Sequence, residues 1–343
     1  MMKTFNKAVK LFSLEDFDCH EVEGHEGGRN RIFVCSKSDE KKFVLRISAT
    51  GDRTEKEYLA ETEFVHYLAE NGAPVADVIP SVNGKLVEKL ELEGATSDCG
   101  EETESVAITV FASLFEYAKG MLLCDNGYRY REGAPLEEYF YNTGKTLGKI
   151  HALSKRFVPT NNCRRPDYFD KYNMEYINHL IPDASGEYAD LKKAIALQLE
   201  KFHALPTDTE SYGLVHFDYS DGNYHIDMTN GNITVFDFDN CMYCWYMFDL
   251  ANLWLHGEGW FRGESDPAKQ AAGMQQYFNT ILKGYKTETS ISDELVNQLP
   301  LFIDMVLIEN IVDEFECAAR EGEEVDFEDI EEAANHLIKK KEA

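Results

Sequence analysis

The dipeptide Asn230-Gly231, set between two short apolar runs, constrains this chain more than any other feature. Asn-Gly is a strong signal for a two-residue hairpin turn, because both positions need a positive φ. Here it interrupts a chain half that otherwise has helical spacing. The segment Leu214-Val215-His216-Phe217-Asp218-Tyr219-Ser220-Asp221-Gly222-Asn223 leads in, and Ile233-Thr234-Val235-Phe236-Asp237-Phe238-Asp239 leads out. With Asn230-Gly231 as the turn, residue 229 faces 232, Asn223 faces Phe238 and Asp237 faces Tyr224. Neighbouring strands lie ~4.8 Å apart, so this register brings the Asn223 amide and the Asp237 carboxylate together, with Asp218 on the loop leading in.

Around this hairpin the chain divides in two. The first third reads as antiparallel strands at Phe17–Glu23, Arg31–Ser36, Lys42–Ile47, Lys85–Leu92 and Val106–Leu114, with one helix over Thr54–Glu70 closed by Asn71-Gly72. The acidic stretch Glu93–Ser105 reads as a solvated loop. Beyond Phe115–Gly120 helical spacing takes over, at Leu136–Phe157, Ile177–His203, Ala268–Tyr285, Ser292–Arg320 and a short amphipathic piece at Ile330–Ile338. The expectation is an α+β chain of two lobes: residues 1–115, a five-stranded antiparallel sheet with one packed helix, and residues 116–343, larger and mainly helical.

The chemistry follows from oxygen ligands. A hard cation held by an amide and a carboxylate keeps its remaining positions for water and phosphate oxygens, which is how Mg sits beside a nucleotide. Asp218, five residues before Asn223, is placed to align an acceptor hydroxyl and take its proton, while Asn223 and Asp237 hold the metal. Asp-x4-Asn followed by a hydrophobic strand and Asp is the arrangement of a kinase catalytic loop and metal loop.

Charge narrows the partners. The chain has 34 basic and 62 acidic residues, a net charge of −28. Such a field repels nucleic acid and anionic membranes and attracts cations. Solubility is the first reading of that excess, and a cationic acceptor the second. No apolar run approaches the ~20 residues of a membrane helix, and Met1–Lys7 leads into no secretory apolar region, so the expected location is cytoplasmic. The eight cysteines read as reduced structural thiols; Cys241-Met242-Tyr243-Cys244 is an isolated CxxC without a second half for a zinc site.

On these residues the chain resembles the aminoglycoside phosphotransferase and choline kinase superfamily, which shares the protein-kinase-like two-lobed fold. His216-Phe217-Asp218 stands where that family usually has His-Gly-Asp. Asp237-Phe238-Asp239 is similar to the choline-kinase Asp-Tyr-Glu segment, and Phe248-Asp249-Leu250-Ala251 to the helix start that follows it. The stretch Phe236–Trp254 also resembles the branch of bacterial homoserine kinases and stress-response Ser/Thr kinases. The resemblance implies Asp218 as catalytic base, Asn223 and Asp237 on Mg, and Asp239 near a second metal. His216 and Asp249 would brace the loop. It further implies Arg46 gripping the α- and β-phosphates of ATP, or of GTP, with a helix acid as partner. Glu61 fits best, and Glu57 and Glu63 are rivals. The Gly24–Arg31 loop, with Gly27 and Gly28, would cover the phosphates through backbone N–H groups, though it lacks a clean GxGxxG pattern. Phe115, Glu116 and Tyr117 would form the hinge touching adenine. The acceptor would be a small hydroxyl-bearing molecule, aminoglycoside-, choline- or homoserine-like.

Plainer readings stand beside these. His216 reads first as a buried, hydrogen-bonded histidine, and Asp249 as a helix N-cap compatible with bracing. The aromatic run Tyr243, Trp245, Tyr246, Phe248, Trp254, Trp260 and Phe261 reads first as core and second as a cation cage. Glu309, Asp313 and Glu316 share a helix face and read first as solvated, second as an acceptor-ammonium site. His225 and Asp227 extend an HxD alternation that a metallohydrolase could also show. Among other functions, Asp237-Phe238-Asp239 mimics the strand start of haloacid-dehalogenase-like phosphatases, but Asn240-Cys241 follows in place of their small residues. A Ser/Thr protein kinase of the stress-response type and a catalytically inactive pseudokinase complete the alternatives.

Overall fold

A computed structural model describes residues 2–22, 29–38, 41–48, 53–92, 108–160, 163–182 and 186–341. The chain forms two compact units. One comprises Met1–Lys119, Phe157–Arg164 and Thr234–Phe236; the other comprises Gly120–Arg156, Arg165–Ile233 and Asp237–Ala343.

The first unit starts with helix α1 (Met2–Leu11), followed by strands β1 (Asp18–Glu21), β2 (Asn30–Lys37) and β3 (Lys41–Ser48), helix α2 (Glu55–Glu70), and strands β4 (Val78–Ile79), β5 (Glu88–Leu92) and β6 (Ile108–Glu116). The six strands make one sheet in the order β1-β2-β3-β6-β4, with β5 also on β6, and all its pairings are antiparallel. The expected antiparallel sheet is therefore present, with two additions. β4 is only two residues long, too short for any periodicity to show. Helix α1 adds a second packed helix: Ala8 is fully buried, and Phe5 and Val9 pack with it against Phe33, Leu45 and Leu114 of the sheet. Alternation along β3 sends Leu45 and Ile47 into that cluster and turns Arg46 to the opposite face. On that face Tyr58 of α2 packs on Phe111 and Val87. A capping box starts α2, the Thr54 side chain accepting from the Glu57 N–H and the Glu57 carboxylate from the Thr54 N–H.

Cys19 and Cys35 lie opposite one another in the β1–β2 register and form a disulfide, their Cα atoms 4.0 Å apart. The expectation of reduced thiols fails for this pair, because a cross-strand register cannot be read from either strand alone. Cys241 and Cys244 remain thiols. Among the described residues no group of three or more His, Cys, Asp or Glu side chains could hold a metal ion, so neither the CxxC nor the HxD alternation forms such a site. The Glu93–Ser105 loop lies outside the described residues, as do Gly24 to Gly28.

The second unit holds helices α3 (Leu136–Ser154), α4 (Tyr168–Lys171), α5 (Met174–Leu180) and α6 (Glu187–Phe202). Strands β7 (Tyr212–Val215), β8 (Tyr224–Ile226), β9 (Ile233–Val235, whose last two residues fall in the first unit) and β10 (Met242–Trp245) follow. Helices α7 (Tyr246–Phe261), α8 (Pro267–Tyr285), α9 (Asp293–Val296), α10 (Leu299–Glu321) and α11 (Phe327–Lys341) complete it. β10 runs antiparallel to β7. No described helix is long and apolar enough to cross a membrane. Helices α3 and α8 approach closely through glycine: a Cβ on Gly144 or Gly148 would collide with the backbone of Ile281 or Tyr285, and one on Gly284 with the backbone of Tyr141. The aromatic run is core at its start, where Trp245, Tyr246 and Phe248 are buried. Trp260 packs edge-on against Tyr139 and Phe140.

Candidate active site

β7 ends at Val215, and the chain turns through His216-Phe217-Asp218. Phe217 has φ +73°, a left-handed conformation that glycine adopts without penalty and other residues do not. Two interactions hold it. The Phe217 ring stacks on Phe248 at 4.1 Å between centroids and 3° between planes. The Asp249 carboxylate accepts the His216 N–H at 3.0 Å and the Phe217 N–H at 2.9 Å. Asp249 is fully buried. It sits inside the first turn of α7, whose N-cap is Trp245, so the N-cap reading is corrected: the carboxylate serves the loop and not its own helix. His216 is fully buried too, its Nδ1 accepting from the Asp218 N–H at 3.3 Å and its ring 4.5 Å from that of Phe238.

The turn delivers Asp218 to Asn223. The Asn223 side-chain amide donates both to the Asp218 carbonyl and to its Oδ2, each at 2.8 Å. Both donations use Nδ2, which leaves Oδ1 as the acceptor face of the amide. Burial raises the Asp218 carboxyl from its ordinary 3.8 to about 7. The Asn223 hydrogen bond opposes that rise, and the carboxylates of Asp237, Asp249 and Asp313 add to it. A carboxyl poised near neutrality is suited to proton transfer at physiological pH.

The expected two-residue turn at Asn230-Gly231 is wider in the structure. The Asp227 N–H donates to the Asn232 carbonyl at 2.8 Å, so four residues lie between the paired positions. Asp227 causes this: its carboxylate accepts from the Thr229 N–H, the Thr229 hydroxyl and the Asn230 amide, an Asx turn that the Asn-Gly signal concealed. The inferred partners shift with it, and Asn223 does not face Phe238. Asp237 has φ +60° and begins a 3-10 turn over Phe238–Asn240. Arg165, buried, pins that turn by donating to the carbonyls of Cys241 at 2.6 Å and Asp239 at 2.7 Å. Asp239 is buried, whereas Asp237 is exposed. A 3-10 turn followed by an antiparallel strand leaves no β-α unit after Asp237, which removes the phosphatase reading.

In the first unit Arg46 and Glu61 form a buried two-pronged ion pair, Nη1 to Oε1 at 2.7 Å and Nη2 to Oε2 at 2.8 Å. The guanidinium also lies 5.0 Å from the Phe115 ring centre. The rival acids have other tasks: Glu57 closes the α2 cap, and Glu63 accepts from the N–H and hydroxyl of Thr160. At the end of β6 the Glu116 N–H donates to Asp77 at 2.8 Å, and Tyr117 is partly exposed with Lys42 5.5 Å from its ring. Gly27 and Gly28 fall outside the described residues.

The acidic face of α10 differs from the solvated reading. Glu316 accepts from Lys171 at 3.0 Å and from the Tyr176 hydroxyl at 2.5 Å. Burial raises the Glu309 carboxyl above its ordinary value, with Asp313, Asp218 and Glu316 adding to the rise and Lys171 opposing it. Glu309 therefore lies within the field of Asp218. His151 and Arg165 carried no signal in the sequence, because their partners lie 98 and 74 to 76 residues away.

The amicoumacin kinase of Bacillus subtilis (strain 168) is 26% identical over 287 residues, covering 84% of this chain and 77% of that protein. Among solved structures, amicoumacin kinase hAmiN in complex with AMP-PNP, Ca2+ and Ami superposes with a TM-score of 0.76 at 20% identity, over 99% of this chain and 93% of that one. A microcompartment-associated aminopropanol kinase gives 0.70 at 16% identity, over 98% and 94%. The choline kinase LicA from Streptococcus pneumoniae gives 0.56 at 14%, over 98% of each. These likenesses establish the kinase-like fold. The Phosphotransferase enzyme family matches residues 21–284, well over half of the chain, and the protein belongs to that family.

Proposed function

We propose that the protein transfers the γ-phosphate of ATP to the hydroxyl of a small, amine-bearing acceptor, with Asp218 as the base. The observation that carries the reading is the Asp218–Asn223 pair. A carboxyl raised to about 7 is fixed by an amide whose remaining oxygen is suited to a hard cation. The donor chemistry fits Mg: an amide oxygen from Asn223 and carboxylate oxygens from Asp237 and Asp239 are the ligand types Mg takes beside phosphate. Bound there, Mg would neutralise charge on the β- and γ-phosphates. Arg46, oriented by Glu61, would hold phosphate oxygens, and the Phe115–Tyr117 segment would meet the base. Asp218 aligns the acceptor hydroxyl and receives its proton as the oxygen bonds to the γ-phosphorus and the bond to the β,γ-bridging oxygen breaks, releasing ADP.

The amine-bearing acceptor rests on Glu309 and Asp313, which stand in the field of Asp218, and on the net charge of −28. The aminopropanol kinase and the choline kinase that share the fold support the same acceptor chemistry. The test is ADP or GDP release with Mg-ATP or Mg-GTP against a panel of amino alcohols, aminoglycosides, neutral sugars and Ser/Thr peptides, with an EDTA control. Turnover with an amino-bearing alcohol, lost in Glu309→Gln and in EDTA, is the expected result. Turnover confined to neutral sugars or peptides would refute the acceptor class, and turnover in EDTA the metal.

A further inference from the structure

His151 lies fully buried on α3, between two residues from other helices. Its Nε2 is 3.1 Å from Asp249 Oδ2 on α7, and its Nδ1 is 3.0 Å from the Tyr285 hydroxyl on α8. The chemistry of the partners sets the proton positions. An ionised carboxylate only accepts, so Nε2–H donates to Asp249; Nδ1 is then the acceptor, and the Tyr285 O–H donates to it. The ring is held as one neutral tautomer, and the Tyr246 ring at 4.8 Å confines its plane. Burial agrees, since it lowers the basicity of this imidazole. The glycine contact of α3 with α8 makes the arrangement possible: Gly148 packs on the Tyr285 backbone, three residues from His151 along α3.

The same Oδ2 that accepts from His151 also accepts the His216 N–H, while Oδ1 takes the Phe217 N–H. A carboxylate rotated about its χ2 would lose one or both. The Phe217 backbone is left-handed and relaxes readily if released, and Asp218 is the next residue. We propose that His151, set by Tyr285, is a positioning residue for the phosphotransfer reaction. It locks the Asp249 carboxylate in the rotation that clamps His216 and Phe217 and so fixes Asp218. The kinetic part of this rests on Asp218 being the base; the clamp itself does not.

The experiment compares Tyr285→Phe, which removes one hydroxyl, with His151→Phe, which fills the space without a donor, and His151→Gln, which restores an N–H donor. Amide hydrogen exchange of the peptide spanning 214–218 is measured alongside kcat and the KM for ATP. The probes are Mg-ATP with 1-amino-2-propanol, or Mg-ATP hydrolysis by water if that alcohol is not accepted. Loss of an outer partner that orients a functional group typically costs ~10–100-fold in activity, and His151→Phe is expected to lower kcat in that range. KM for ATP should stay unchanged, and exchange at His216 and Phe217 should be faster. His151→Gln should recover most of the loss, and Tyr285→Phe should lower kcat about fivefold, one hydrogen bond's worth. Unchanged exchange in folded Tyr285→Phe and His151→Phe would overturn the clamp. Equal loss in the Gln and Phe variants would reduce His151 to packing. If His151→Phe does not fold, Tyr285→Phe decides. Should Asp218→Asn retain turnover, the base assignment falls, while exchange at 216–217 still judges the clamp.

Discussion

Replacing Phe217 by alanine and, separately, by glycine resolves the two forces that act on the loop before Asp218. Both variants remove a buried ring stacked on Phe248 at 4.1 Å, and a buried Phe→Ala change typically costs ~3–5 kcal/mol. They differ in the backbone. At φ +73° an alanine keeps the Cβ clash, worth ~1–2 kcal/mol; glycine has none, but loses ~0.5–1 kcal/mol more conformational entropy on folding. The difference leaves glycine ahead by roughly 0.5–1 kcal/mol, a reversal of the usual order of the two residues. For a chain of this size that is a melting difference of ~1–2 °C, so urea midpoints at matched slopes are the better assay. Both variants should unfold at lower urea than the wild type, with Phe217→Ala the weaker of the two. An alanine variant as stable as the glycine variant, or more so, would refute the claim that the backbone is strained at Phe217.

Asp218 has a raised folded-state pKa, so the folded protein holds this proton more tightly than the unfolded chain. Its contribution to stability is undiminished below the unfolded value of 3.8 and is lost as pH rises toward about 7. Asp218→Asn should therefore melt higher than wild type above pH 7 and equally near pH 4, while kcat falls by ~10²–10⁴; a pH-independent melting difference would exclude this origin. Glu61→Gln removes the carboxylate from the buried two-pronged pair with Arg46 and should destabilise by up to ~3–5 kcal/mol, read by denaturant midpoint. The double change Arg46→Met with Glu61→Leu should restore stability but not ATP affinity by calorimetry. Asp237→Asn should weaken Mg-ATP binding in the same calorimeter, with ATP in EDTA as the reference; equal affinities would remove Asp237 from the metal.

Local pattern carried much of this. β2, β3, β6, α2 and the long helices were visible because alternation and helical spacing are properties of one segment. The residues of the candidate site were visible because Asp218, Asn223 and Asp237 lie close in sequence. What escaped depends on partners far along the chain or on a competing local bond. The Asp227 side chain outcompeted the Asn-Gly turn and moved the hairpin register. Cys19 meets Cys35 only after β1 and β2 pair. His151 acts on Asp249 of α7 and Arg165 on the turn before β10, and no spacing announces them. Helix α1 also escaped: its apolar stripe of Phe5, Ala8 and Val9 is short and interrupted by Lys3, Lys7 and Lys10.

The discontinuous make-up of the first unit has a consequence for synthesis. Its sheet is complete at Glu116, yet Phe157 packs on Phe64 and Tyr67, Thr160 satisfies Glu63, and Val235 exchanges backbone hydrogen bonds with the 74–76 segment, accepting from Ala76 and donating to Pro74. A ribosome adding ~5–20 residues per second needs on the order of ten seconds to pass from residue 119 to 236. Throughout that interval the nascent sheet lacks these contacts, with the Glu63 carboxylate and the Ala76 N–H still awaiting them. The unit can close only after the hairpin bearing Asn223 has been made, so its completion and the birth of the candidate site fall in the same stretch of translation.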